Sequence, residues 1–325
     1  MLPASWLVGA GGTWLAAVHN PSAHTVVSEA MRASRGLLRV VFWKNPFSTG
    51  PVDALHALIA GCIAGLSQGL PIGDLGQSFA WPYLLQWPGA ALPGTAPALR
   101  TACLLGAACG LGVALRTEWA ALWARARAGT PPGDPGGAPP PPDLGVLLLA
   151  AVPSFLLCWL LRHLTTQLLA AATVGVCLLI TAQTLGLAQR WARQDIGPHT
   201  AVPPWLAAVA GVTAGLAALP GVSGLAVILA VLLYGRILPE ASGTFALMAA
   251  TIVAALLGVV SLPTAAAAAS AALLPALVGA AAGAYAGGRL LRRWLGPARA
   301  RVWPILAGYC AAVGGLMLLF GVFAG

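Results

Sequence analysis

Hydrophobic positions in this chain fall into long runs rich in Ala, Leu, Val and Gly, many of about 17–25 residues, the length a helix needs to cross the hydrocarbon of a bilayer. They lack the two-residue alternation of a barrel strand, so the expected elements are helices. The pattern predicts apolar segments at 55–70, 99–115, 144–161, 168–187, 205–219, 225–234, 244–260, 268–286 and 302–323. The stretch GLSQGLPIGDLGQ at 65–77 interrupts this series with polar and Gly/Pro positions, and GLAALPGVSG at 215–224 repeats its outline more weakly. Two interrupted hydrophobic segments in corresponding places in two halves of a membrane protein point to a midplane site built from discontinuous helices. The expected fold is therefore an all-α polytopic integral membrane protein with two inverted repeats, each containing a re-entrant broken helix. In the first, a half-helix over 78–85 returns toward the side where 55–70 began.

This pattern divides the chain into four parts. Residues 1–51 form an N-terminal extension. Its apolar patch at 6–18 lacks the basic start of a signal peptide, and reads either as an interfacial segment or as sequence ahead of the true start. Farther on, Arg32, Arg35 and Arg39 share one helical face with Ala30, Leu37 and Val41 opposite, and Lys44 follows. That is the pattern of a basic amphipathic interfacial helix on an anionic leaflet, with an ordinary solvated extension as the alternative. Residues 52–127 form the first membrane repeat half, 128–143 a Pro/Gly-rich linker, and 144–325 the remaining transmembrane helices with the second broken one.

Composition sharpens the class. Hydrophobic residues make up 59% of the chain and charged residues 8%, with a mean hydropathy of +0.85. Soluble domains carry about 25% charged residues, so a soluble globule is excluded. The net charge of +9 is spread over short loops, which sets topology and does not suggest nucleic acid. The loop with Arg116, Arg125 and Arg127, and the loop with Arg289, Arg292, Arg293, Arg299 and Arg301, are expected on the cytoplasmic side. Cys62, Cys103, Cys109, Cys158, Cys177 and Cys310 lie in apolar runs without zinc-like spacing and read as small hydrophobes, so no metal site is assigned.

Candidate chemistry concentrates at the two breaks. Asp74 is the one acid expected within the membrane, where an ionisable residue is costly and functional; alternatively it caps the returning half-helix. Gln68 and Gln77 suit hydrogen bonds between helices. Ser223 needs an activating base to serve as a nucleophile, and none stands beside it in sequence. The candidate catalytic residues are Asp74 and Ser223; the candidate substrate-binding residues are Ser67, Gln68, Gln77, Gly76 and Gly221. His56, His163 and His199 fall outside the broken segments, and Arg236 and Glu240 flank the second at the membrane surface, Arg236 snorkelling.

Residues 64–77 resemble the first motif of the undecaprenyl-diphosphatase (bacitracin-resistance) family, in which a glutamate, Gly-Leu, a second glutamate, Leu-Pro, two serines, Thr, Gly and His succeed one another. Gly65, Leu66, Leu70, Pro71 and Gly76 are retained. Pro220, Gly221, Val222 and Ser223 resemble the start of the family's Pro-Gly-x-Ser-Arg-Ser-Gly motif, and Phe245, Ala246 and Leu247 stand where it has Phe-Ser-Phe; the likeness spans 52–323. The departures fall on reactive positions: the two glutamates align with Ala64 and Gln68, the serine pair with Gly73 and Asp74, the threonine with Leu75, the histidine with Gln77, and the arginine with Gly224. The resemblance implies a multi-pass protein of the bacterial plasma membrane acting on a polyprenyl (di)phosphate lipid. Its expected partners are that lipid, the membrane and a second copy of the chain, with a divalent cation only if it hydrolyses. Diphosphate hydrolysis needs charge neutralisation and a positioned base or nucleophile, so loss of these groups argues against catalysis by the family's set. Three functions follow: a phosphatase rebuilt around Asp74, a non-catalytic polyprenyl-phosphate transporter, flippase or lipid-binding protein, and a structural partner of an envelope enzyme.

Overall fold

The computed structural model describes residues 54–85, 87, 97–128, 142–192, 199–266, 271–295 and 302–324, so the predicted N-terminal basic helix and nearly all of the linker lie outside the described residues. Among the described residues the regular elements are helical. They are α1 Ala54–Gly69, α2 Asp74–Leu84, α3 Pro97–Ala114, α4 Arg116–Ala128, α5 Leu144–Leu160, α6 Arg162–Gln167, α7 Ala171–Ala192, α8 Pro204–Ala214 with a 3-10 turn Gly215–Ala218, α9 Gly224–Tyr234, α10 Pro239–Ala266, α11 Leu273–Trp294 and α12 Val302–Ala324.

Four of these, α3, α7, α10 and α12, are long and apolar enough to cross a membrane. Helices α1, α5, α8 with its turn, and α9 are apolar but shorter. At about 1.5 Å per residue, the 11-residue α9 covers roughly half of a hydrocarbon core about 30 Å thick. Large apolar side chains such as Leu148, Val152, Leu156 and Leu160 on α5 face outward, as lipid contact allows.

Three sequence expectations are corrected. The segment with Arg116, Arg125 and Arg127 is the helix α4 and not a loop: it is rich in helix-forming Ala and Arg, and Leu122 anchors it in the core. The run expected at 268–286 is the helix Leu273–Trp294, which takes Arg289, Arg292 and Arg293 into its own last turns. The Arg292 guanidinium pairs there with Glu118 of α4 and donates to the Ala114 carbonyl at the end of α3, 3.4 Å away, so its charge is matched. The half-helix expected at 78–85 begins at Asp74, an acid that suits the positive end of a helix.

Small residues bring the helices together. Helix α11 presents Ala276, Gly279, Ala280, Gly283, Ala284, Gly287 and Gly288 on its buried stripe, and Gly61, Gly65 and Gly69 of α1 lie against it. Gly106 and Gly110 of α3 pack on the same helix. Lipid supplies no hydrophobic drive between helices, so this close backbone approach supplies the association through van der Waals contact. Elsewhere α8 packs on α5, α9 on α7 and α8, and α10 on α3 and α5.

Candidate functional site

Both breaks expected from the sequence are present. Helix α1 ends at Gly69, and Gly73 takes φ +82° before α2 begins, a conformation that favours glycine. In the second, the 3-10 turn ends at Ala218 and Gly221 takes φ +113° before α9 begins. The two breaks touch: a Cβ at Gly76 would stand 2.5 Å from the Gly221 Cα, and one at Gly73 would collide with the Gly221 carbonyl. Only bare backbone fits at this crossing.

A broken helix frees carbonyls that hydrocarbon cannot satisfy, so the protein must. At the first break the Ile72 carbonyl accepts from Gln77 Nε2 at 3.2 Å and from Cys310 Sγ at 3.8 Å. Gln77 is fully buried, and its Oε1 accepts from the Tyr309 hydroxyl at 2.7 Å, which in turn accepts from Trp81 Nε1 at 2.9 Å. At the second break Thr165 donates to the Ala218 carbonyl at 2.7 Å, and Cys158 Sγ lies 3.6 Å from the Gly215 carbonyl. Thr181 Oγ1 donates to the Gly221 carbonyl at 2.8 Å and accepts from the Ser223 N–H at 3.0 Å. Ser223 caps α9, its Oγ accepting from the Ala226 N–H at 3.2 Å.

A narrow, partly open cleft of about 20 Å³ lies beside the first break, lined by Ala64, Gln68, Asp74, Leu75, Ser78, Arg100, Cys103 and Leu104. Asp74 is the first residue of α2, half-buried, and its Oδ2 accepts from Gln68 Nε2 at 2.5 Å. Arg100 comes from the first turn of α3, also half-buried, and its charge and that of Asp74 attract each other. The cleft thus joins a carboxylate, a guanidinium, an amide and a hydroxyl to an apolar remainder.

Of the sequence candidates, the cleft gathers Gln68 and Asp74. Ser67 is buried and donates back to the Ile63 carbonyl at 2.7 Å within its own helix. Gln77 holds the Tyr309 bond, Gly76 and Gly221 form the crossing, and Ser223 is a helix cap. Sequence reasoning missed Arg100, Thr181 and Tyr309. Arg100 carried a signal, being a charge inside the predicted span 99–115, and ionisable residues at such depth merit a partner search. Mg²⁺ takes about six oxygens, one or two of them from protein carboxylates. The cleft lining supplies one carboxylate, already bonded by an amide and facing a guanidinium, and these residues do not fit a resident divalent cation. No group of three or more His, Cys, Asp or Glu placed to hold a metal occurs among the described residues.

No curated protein matches the chain. The family model described as bacitracin resistance protein BacA matches residues 57–316, a range that contains both breaks and every residue of the cleft. With most of its length matched, the chain belongs to the bacitracin resistance protein BacA family.

Proposed function

We propose that the chain is a multi-pass protein of the bacterial plasma membrane that binds a polyprenyl phosphate or diphosphate carrier lipid. The phosphoryl end engages the mouth of the narrow cleft, at Gln68, Asp74, Ser78 and Arg100, and the prenyl chain leads away past its apolar lining at Ala64, Leu75 and Leu104. Family membership supports the substrate class. Arg100 is the observation that carries the site. A guanidinium in a spanning helix is expensive to keep, and its planar fork suits phosphoryl oxygens.

The cleft residues favour holding or translocating the lipid over hydrolysing it by the family's residue set. Gln68 stands at the position of a motif glutamate and spends its amide on Asp74. Packing supports reading α1–α2 and α8–α9 as two re-entrant hairpins related as inverted repeats, because the helices of each pair pack on one another and the two breaks meet. Such a frame suits alternating access around a fixed site. A second reading, hydrolysis rebuilt on Asp74, is favoured by the carboxylate being fixed beside a cation. A homodimer belongs to the same proposal as the form in which to look for activity.

The test is phosphate release from a polyprenyl diphosphate by purified protein in detergent, with and without divalent cation, beside binding of a fluorescent polyprenyl phosphate. Binding that Arg100→Gln abolishes, without release, is the expected result. Release that Asp74→Ala abolishes would establish the hydrolytic reading instead. Folded wild-type protein that neither binds nor releases phosphate would sink the carrier-lipid reading.

A further inference from the structure

We propose that binding of the lipid phosphate is coupled to uptake of one proton by Asp74. The inference rests on the carrier-lipid reading above and concerns how the same cleft accommodates charge.

Asp74 and Arg100 line one cleft, and their opposite charges attract each other there. An arriving phosphate ester brings at least one negative charge and competes with Asp74 for the same guanidinium. In a half-buried cleft a surplus anion is costly, and cancelling it favours binding. Among the described residues, the groups facing Asp74 offer no second cation. Helix α1 brings the Gln68 amide, α2 the Ser78 hydroxyl, α3 Arg100 and the Cys103 thiol, and α5 the Cys158 thiol. Helix α7 packs on α2 but sends Thr181 to the second break, and Tyr309 of α12 is engaged with Gln77.

A proton from water onto the Asp74 carboxylate restores the balance. The resulting carboxylic acid keeps one oxygen as acceptor for Gln68 Nε2, and its new O–H donates to a phosphoryl oxygen held by Arg100. The repulsive neighbour of the ligand becomes a hydrogen-bond donor to it. No bond of the lipid is broken. Affinity then rises as pH falls, by about tenfold per pH unit where a full proton is taken up. For a translocating protein the same coupling ties lipid movement to a proton gradient.

The experiment is calorimetric titration of the purified full chain with farnesyl phosphate at several pH values, in paired buffers of different ionisation heat. Farnesyl sulfate, whose ester anion accepts no proton near neutrality, is titrated in parallel. The expected result is that wild type takes up about one more proton per ligand than Asp74→Asn, and that the variant binds more tightly with a flatter pH dependence. With farnesyl sulfate the uptake must persist in wild type, which keeps the test decisive should the variant fail to fold. Wild type that binds either ester with no proton uptake beyond that of the ligand overturns the coupling and leaves the carrier-lipid reading intact. Wild type that binds neither ester, and releases no phosphate from the diphosphate, overturns both.

Discussion

Replacing Gly65 by alanine probes the packing that positions the whole site. Gly65 lies in α1 one turn before the break, and a Cβ there falls well inside 3.0 Å of the Ala280 carbonyl oxygen, closer than real Cβ atoms come. The opposing atom is helix backbone and has no rotamer to escape into, so α1 and α11 must separate. Overpacking of this kind costs about 1–3 kcal/mol. Alanine also gains about 0.5–1 kcal/mol over glycine inside a helix, leaving a net loss on the order of 1–2 kcal/mol. Gly112→Ala on α3 is the matched control, because its Cβ meets nothing within 4 Å and only the gain remains. Reversible unfolding in mixed detergent, followed by the exposure of buried Cys103 and Cys310 to a thiol dye, reads both changes. Gly279→Ala, whose Cβ meets the Leu58 carbonyl, probes the same interface from the other side. One displacement of the helices relieves both collisions, so the double variant should lose less than the two single losses together. Gly65→Ala stabilised as much as Gly112→Ala would refute the reasoning.

Thr181→Val removes the hydroxyl that both serves the Gly221 carbonyl and receives the Ser223 N–H, and should destabilise the protein by about 1–2 kcal/mol in the same unfolding assay. Tyr309→Phe leaves Trp81 Nε1 and Gln77 Oε1 without their shared partner, with a comparable expected loss; an unchanged midpoint would show that the seam contributes nothing. Glu118→Gln removes the carboxylate opposite Arg292 and, at a half-buried pair, should cost no more than about 1 kcal/mol, screened further by added salt. Asp74→Ser frees Arg100 and the start of α2 together, so it should bind farnesyl phosphate more tightly than wild type at neutral pH, by roughly tenfold if about 1.4 kcal/mol of repulsion is relieved. Weaker binding would place the phosphate elsewhere.

The sequence made the interruptions legible and left their partners hidden. Pro71 with Gly73, and Pro220 with Gly221, announce themselves because proline and glycine have local consequences wherever they stand. Gln77 serves Ile72 from close by, but the other donors to the freed carbonyls come from far along the chain: Cys310 for Ile72, Thr181 for Gly221, Thr165 for Ala218. A single threonine in an apolar run carries no mark of the distant backbone it serves. Charge misleads at α4 and at the end of α11, where clustered arginines in the sequence suggest loops. Arginine is a good helix former, and Arg292 is kept in helix by a partner that sequence spacing cannot reveal. Arg100 was overlooked for the converse reason: one charge near the start of an apolar segment reads as part of the span until Asp74 is found across the cleft from it.

The two breaks account for the place of Arg100 in the proposed site. Helices α2 and α9 both begin immediately after a break, and a helix start carries partial positive charge suited to an anion. The chain answers both starts itself, with the Asp74 carboxylate in the first turn of α2 and the Ser223 hydroxyl on α9. Neither start is free to draw in a phosphate. Gly73, Gly76 and Gly221 fill the crossing with backbone, so the crossing has no space to offer either. A narrow opening lies to one side, where α3 contributes a cation that no helix end requires. A lipid phosphate can bind there only by contesting the guanidinium with Asp74. That competition links affinity to the charge of one carboxylate, and makes Asp74 and Arg100 a single unit rather than two independent contacts.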